Sequence, residues 1–246
     1  MNRADHCLQL DVGNSSAKWR LMRDGEIAAR GRYRADDSGS LKDLLSCSDT
    51  LQQIWISSVA GEQRNGALSS LLEDRWGVMP WFARSTAQIG SLRNSYNEPE
   101  RLGVDRWLAM LGAQIHLPGR FAVVDAGSAL TIDIVAADGQ HEGGYIMPGA
   151  ELMERALLLD TDRVRFEEQA EYRLDPGKST AEAVRCGIAA SQVGAVCLVL
   201  ERLGLRGDDL LFCGGGAQQL IFLSDLGGSW LPDLIFEGLE LAAAQR

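Results

Sequence analysis

Two aspartates with matching surroundings stand 114 positions apart. Asp11 lies in the segment Cys7-Leu-Gln-Leu-Asp-Val-Gly-Asn-Ser-Ser-Ala-Lys-Trp-Arg-Leu-Met22, and Asp125 in Phe121-Ala-Val-Val-Asp-Ala-Gly-Ser-Ala-Leu-Thr-Ile-Asp-Ile-Val135. In both, an apolar run ends on the acid and is followed by a small residue, a glycine, hydroxyl-bearing residues and a second apolar run. The chemistry this suits is phosphate handling. Glycine lets the backbone approach a phosphate, and successive amides in a tight turn form an anion-binding nest. Ser15, Ser16 and Ser128 add hydrogen-bond donors, while Asp11 and Asp125 can hold a hydrated cation that offsets phosphate charge. A single Asp-x-Gly is an ordinary turn. Its repetition at close to half the chain length points to two similar lobes, each offering one hairpin to a shared cleft.

A different chemistry is suggested by Tyr96-Asn-Glu-Pro-Glu-Arg-Leu-Gly-Val-Asp-Arg-Trp107, a polar loop that feeds a helix beginning close to Asp105. Phosphoryl transfer to a hydroxyl asks for a carboxylate that accepts the hydroxyl proton and a cation near the transferring group. Asp105 and Arg106 supply both types. The plainer alternative makes Asp105 a helix cap or first-turn acid and Arg106 a surface charge. A third glycine cluster, Leu210-Leu-Phe-Cys-Gly-Gly-Gly-Ala-Gln218, reads as a strand running into a turn bare enough to lie beside a flat nucleoside ring.

The elements that position these residues alternate between strand and helix. The two Asp-x-Gly segments read as β-hairpins, residues 51–59 as a buried strand, and residues 107–116, 181–203 and 234–245 as helices. The expected class is α/β, with lobes at residues 1–116 and 117–246 coupled through residues 117–120. The C-terminal helix is free to pack back on the first lobe.

Composition narrows the function. A formal charge of −10 and a pI near 4.8 argue against non-specific nucleic-acid or anionic-membrane partners, which need a positive field. The five cysteines, Cys7, Cys47, Cys186, Cys197 and Cys213, form no C-x-x-C pair and read as reduced thiols. His6, His116 and His141 are scattered without metal-ligand spacing. The first nine residues lack an apolar signal core, and no stretch is read as long and apolar enough to cross a bilayer, so the expected location is cytoplasmic. There is no Gly-x-x-x-x-Gly-Lys-[Ser/Thr] loop, and no Gly-x-Gly-x-x-Gly follows a strand.

Taken together, Asp11-Val-Gly-Asn-Ser, Tyr96 through Pro99 to Gly103-Val-Asp-Arg106, Asp125-Ala-Gly-Ser128, Gly143-Gly-Tyr-Ile-Met-Pro-Gly149 and Thr180-Ala-Glu-Ala-Val-Arg-Cys-Gly187 resemble the type III pantothenate kinases. That family belongs to the actin, chaperone ATPase and sugar kinase superfamily. The resemblance implies two actin-like, ribonuclease H-like lobes around a nucleotide cleft and ATP-dependent phosphorylation of pantothenate, the first step toward coenzyme A. It implies that Asp11, Val12, Gly13, Asn14, Ser15, Ser16, Ala17, Lys18 and Ser128 contact ATP. It further implies that Tyr96, Gly103, Val104, Asp105 and Arg106 contact pantothenate, with Asp105 the proton acceptor. Thr180 would reach pantothenate from the neighbouring subunit of a homodimer, and Asp125 matches the position of a monovalent cation. Magnesium is the implied divalent ion, with potassium or ammonium as the monovalent one. Tyr145 and Met147 would suit a subunit contact. Three positions depart from the family pattern. Ser128 replaces a usual threonine, Cys213-Gly-Gly-Gly-Ala217 lacks the acid of Thr-Gly-Gly-Asp-Ala, and Lys18 is not a common family residue. The competing readings are another small-molecule kinase of the superfamily and a non-catalytic ATP-binding switch.

Overall fold

The run Cys7-Leu-Gln-Leu10 is buried because it lies in the middle strand of a sheet. The computed structural model describes residues 6–14, 16–160, 164–166, 168 and 170–246. In chain order its elements are β1 (His6–Val12), β2 (Ala17–Arg23), β3 (Glu26–Tyr33), α1 (Ser38–Leu45), β4 (Gln53–Ser58), α2 (Glu62–Trp76), β5 (Trp81–Phe82), β6 (Gln88–Ile89) and β7 (Leu92–Arg93). A 3₁₀ turn (Pro99–Arg101) leads into α3 (Val104–His116). There follow β8 (Phe121–Ala126), β9 (Ala129–Val135), β10 (His141–Pro148), α4 (Ala150–Asp160), α5 (Thr180–Leu203), β11 (Leu210–Cys213), α6 (Ala217–Ser224), β12 (Ser229–Trp230) and α7 (Leu234–Ala243).

The chain divides into two units. The first comprises residues 1–116 and 233–246, the second residues 117–232. The division falls at 116/117, and the last 14 residues group with the first unit, so α7 packs back on that unit rather than extending a second lobe over 117–246. Packing explains why. Gly112 on α3 and Gly238 on α7 allow backbone-to-backbone approach, since a Cβ on Gly238 would lie 1.9 Å from the Leu108 carbonyl oxygen. On the sheet side, buried Arg20 of β2 donates to Gln9 (2.7 Å) and to Glu240 of α7 (2.9 Å), with its guanidinium over the Phe236 ring. A buried arginine is tolerable only when paired in this way.

Each unit holds one five-stranded sheet, and the two sheets share a topology. The first runs β3-β2-β1-β4-β5 and the second β10-β9-β8-β11-β12. In both, three antiparallel strands are joined to two parallel ones through the first strand of the unit. The first core gathers Leu8, Leu10, Trp19, Ile54, Ile56 and Leu72; the second gathers Val124, Ile132, Val196, Leu200 and Phe212. Both fit the near-continuous apolar strands of sheets covered by helices.

The expectation that no stretch is long and apolar enough to cross a membrane is corrected by α5, whose 24 residues include a window of mean hydropathy 1.8. Its apolar side has a use within the second unit, where Val193, Val196, Val199 and Leu200 join the core. Ser179 and Gly204 cap its two ends.

Candidate functional site

In the first unit, Asp11 is the penultimate residue of β1. It lies directly across from Lys18 on antiparallel β2 and beside Ser57 on parallel β4. Directly opposed residues of paired strands project to the same face, so the carboxylate and ammonium share a face. The Ser57 hydroxyl donates to Asp11 Oδ1 at 3.2 Å. Ser57 was not singled out by sequence, although its place in the strand 51–59 was. The turn beyond Asp11 is closed by the Gly13 amide donating to the Ser16 carbonyl at 3.0 Å, and Arg64 of α2 donates to the Asn14 carbonyl. Ser15 lies outside the described residues. Val12 and Ala17 are buried. Any ligand contact there would be made by backbone.

The acceptor loop is also in the first unit. Asn94 organises it by accepting from the Tyr96 amide (2.9 Å) and donating to the Pro99 carbonyl (3.1 Å). Ser85 ties down the far end by donating to the Leu102 carbonyl. The Gly103 carbonyl accepts from the Trp107 amide, which starts α3. Asp105 thus sits in the first turn, where a carboxylate is favoured by the helix dipole. Its Oδ1 accepts from the Arg106 amide at 2.8 Å. Arg106 is not the surface charge of the plainer alternative: it is 5% exposed and its Nη1 donates to the Tyr96 hydroxyl at 3.1 Å. Val104 turns its side chain into the core. The structure brings Tyr96, Gly103, Asp105 and Arg106 into one polar cluster at the entrance to α3.

The second unit repeats the hairpin arrangement. Asp125 is likewise the penultimate residue of its strand, opposite Thr131 of β9 and beside Cys213 of β11, the topological counterpart of Ser57. Two glycines from elsewhere press on the turn that follows. Gly214 adopts φ +89°, and a Cβ there would lie 2.3 Å from Asp125 Oδ1; one on Gly149 would lie 2.3 Å from the Gly127 carbonyl oxygen. The Gly216 amide donates to the Ala126 carbonyl (2.9 Å) and the Gly149 amide to the Ser128 carbonyl (3.0 Å). Two of the sequence motifs therefore serve a third: Gly149 of the first and Gly214 and Gly216 of the second hold the Asp125–Ser128 turn. Ser128 itself is exposed.

Thr180, also in the second unit, is the first residue of α5 and is exposed. It is not the cap. Ser179 is, accepting from the Glu182 amide at 3.2 Å, while Glu182 accepts from the Lys178 amide at 2.7 Å. A cluster with no sequence signal lies nearby. Arg185 makes a two-point contact with Glu154 (2.9 and 3.1 Å), the Tyr172 hydroxyl donates to Glu154, and Arg185 also donates to the Ala170 carbonyl. Its hydrogen bonds from Arg185 hold the Glu154 carboxyl below the usual range despite partial burial, and burial together with Glu154 pushes the Tyr172 phenol up to about 12. Among the described residues, no three His, Cys, Asp or Glu side chains gather as a metal cage, and the five cysteines are free thiols.

The family model for type III pantothenate kinase matches residues 7–202. A type III pantothenate kinase of Ectopseudomonas mendocina is 38% identical, over 96% of this chain and 98% of that protein. One of Pseudomonas syringae is 37% identical, over 97% and 99%. Among solved structures, a Sinorhizobium meliloti protein described as a 2-dehydro-3-deoxygalactonokinase shares the fold at TM-score 0.61 and 15% identity, covering 97% of this chain and 98% of that one. That likeness and the repeated sheet order show the fold, an α/β chain of two units with the same sheet topology.

Proposed function

The chain belongs to the type III pantothenate kinase family, and we propose that it performs ATP-dependent phosphorylation of pantothenate, the first step of coenzyme A synthesis, with Asp105 as the base. The observation that carries the assignment of roles is the cluster at the entrance to α3, where a first-turn carboxylate stands next to a buried arginine bonded to a tyrosine. Asp105 takes the proton of the terminal hydroxyl as its oxygen bonds to the γ-phosphorus, the bond to the bridging β,γ-oxygen breaks, and ADP leaves. Such a reaction depends on placing and charge stabilisation more than on covalent chemistry from the protein. Tyr96, Gly103, the Val104 backbone and Arg106 hold pantothenate. In the first unit, residues 11–18 offer ATP turn amides and hydroxyls; in the second, Ser128 offers a hydroxyl of the same kind.

Magnesium and a monovalent cation, potassium or ammonium, fit the donor set. Magnesium retains waters and takes one or two carboxylates beside phosphate oxygens, so the strand-end acids Asp11 and Asp125 are the right kind of ligand without a protein cage. Asp125, placed by Gly214, is the residue we assign to the monovalent cation. When bound, these ions neutralise phosphate charge that a chain of net charge −10 cannot offset by itself.

The finer proposals are a homodimer and a cytoplasmic location. Thr180 reaches the acceptor site of the partner subunit, a role compatible with its exposure and with Ser179 already serving as the cap. Ile146 on β10 and Leu159 on α4, 64% and 70% exposed, are apolar surface of the kind that subunit contacts cover. Free thiols suit a reducing compartment. The test of function is ATP consumption across a panel of hydroxyl acceptors. Turnover with pantothenate and not with sugars supports it; turnover only with sugars favours another kinase of the superfamily, and none with any acceptor favours a nucleotide switch.

A further inference from the structure

Gly103 precedes α3 and has a neighbour that a larger residue would have to displace. A Cβ built on it would lie 2.7 Å from Oδ1 of Asp105, closer than non-bonded carbon and oxygen approach, and 3.7 Å from Cδ of Arg106. Its backbone does not demand glycine, since Gly103 is not among the positive-φ residues. Nor does the Cβ meet any backbone atom within the distances at which Gly149 and Gly214 do. What it meets is the end of a rotatable carboxylate. That same oxygen accepts from the Arg106 amide at 2.8 Å, so the carboxylate lies folded back toward the helix entrance, over the bare α-carbon of Gly103.

We propose that Gly103 is a positioning residue for Asp105: its lack of a side chain lets the carboxylate adopt the one orientation from which it takes the acceptor proton. The inference rests on Asp105 being the base, and it gives Gly103 a role in addition to the backbone contact with pantothenate. A methyl group at position 103 turns the carboxylate away while the chain keeps its path. Small misplacements of a reacting group carry large rate penalties, because the proton must leave the hydroxyl for the carboxylate as the oxygen–phosphorus bond forms.

The experiment is a double-mutant cycle of Gly103→Ala and Asp105→Asn in the full-length protein, with kcat, pantothenate affinity by calorimetry and melting temperature measured for each. Gly103→Ala should melt within a few degrees of wild type, bind pantothenate within about threefold, and lose about 10- to 100-fold in kcat. In the Asp105→Asn background it should cost nothing further, because the group it acts through is already gone. The same fold-loss in both backgrounds, or wild-type kcat in Gly103→Ala, would overturn the proposal. Failure of Gly103→Ala to fold would overturn it too, as it would show that the backbone and not the carboxylate requires glycine. Wild-type kcat in Asp105→Asn alone would instead remove the reading of Asp105 as base on which the proposal stands.

Discussion

The guanidinium of Arg106 meets the hydroxyl of Tyr96 at 3.1 Å, tying the first turn of α3 to the loop ten residues before it. With Arg106 only 5% exposed, this bond matters more than a surface contact would. Tyr96→Phe removes the oxygen and leaves the ring. A lost hydrogen bond to a charged group of about 1.5 kcal/mol corresponds to roughly tenfold in affinity, so KM for pantothenate should rise about tenfold with kcat little changed. Steady-state kinetics at saturating ATP would decide it. A fall in kcat at constant KM would place Tyr96 in the chemical step instead.

Gly214→Ala should be among the most damaging small substitutions in the second unit. It forces a side chain onto φ +89° and drives a methyl into both Asp125 Oδ1 and the Ala126 carbonyl oxygen. Strain of about 1–3 kcal/mol is expected from the backbone alone, with the overlap added to it. Denaturant unfolding would measure the loss. A change within 0.5 kcal/mol, about the scatter of neutral surface substitutions, would show that the turn can relax.

Glu154→Gln should reveal a pH-dependent contribution to stability. Hydrogen bonds from Arg185 lower the folded pKa of Glu154 below its unfolded value. The unfolded chain therefore takes up this proton first on acidification. The stabilisation is fully present above the unfolded pKa of about 4.3, and it is lost as the pH falls through the folded pKa. Wild type should exceed Glu154→Gln by about 1 kcal/mol at pH 7, toward the low end for a charged hydrogen bond because the pair retains some exposure. The two should converge in acid. A difference that stays constant from pH 7 to pH 3 would mean that the pair acts by packing alone.

Much of this arrangement was legible in the residues. The repeat of Asp-x-Gly at Asp11 and Asp125 foretold two units of like topology, because a strand-end acid before a glycine turn is a local pattern that survives without tertiary context. Gly103-Val-Asp-Arg106 foretold a polar cluster at a helix start for the same reason. What escaped depends on partners distant in sequence. That Ser57 bonds Asp11 is a matter of parallel register between β1 and β4, and nothing near residue 57 announces it. The glycines of 143–149 and 213–217 looked like ligand contacts or rigid turns. Of these, Gly149, Gly214 and Gly216 lie against the carbonyls and carboxylate of the Asp125–Ser128 turn. Glu154 and Arg185 showed no spacing that would mark them as a pair. For α5, an apolar helix of 24 residues buries much of its apolar side in its own core, which composition cannot distinguish from burial in lipid.

Thr180 offers a test of the dimer. In the proposed homodimer with shared sites, Thr180→Ala and Asp105→Asn would each damage the acceptor site. If the two variants are mixed and allowed to exchange, the hybrid dimer regains one site with Asp105 from one chain and Thr180 from the other. Activity should recover toward about a quarter of wild type, since random exchange makes half of the dimers hybrid and each hybrid holds one intact site of two. No recovery, with exchange confirmed by mass, would confine each site to one chain. Because Ser179 is the cap, Thr180→Ala should also leave the melting temperature close to that of wild type.

Asp105 as the base is the centre of the proposed phosphoryl transfer to pantothenate. The decisive measurement is single-turnover formation of phosphopantothenate by wild type and by Asp105→Asn, each saturated with magnesium-ATP and pantothenate. Wild type should form the product, and Asp105→Asn, folded and still binding both ligands, should form it about 10² to 10⁴ times more slowly, the range for loss of a positioned general base. Product formation at the wild-type rate by Asp105→Asn would contradict that role.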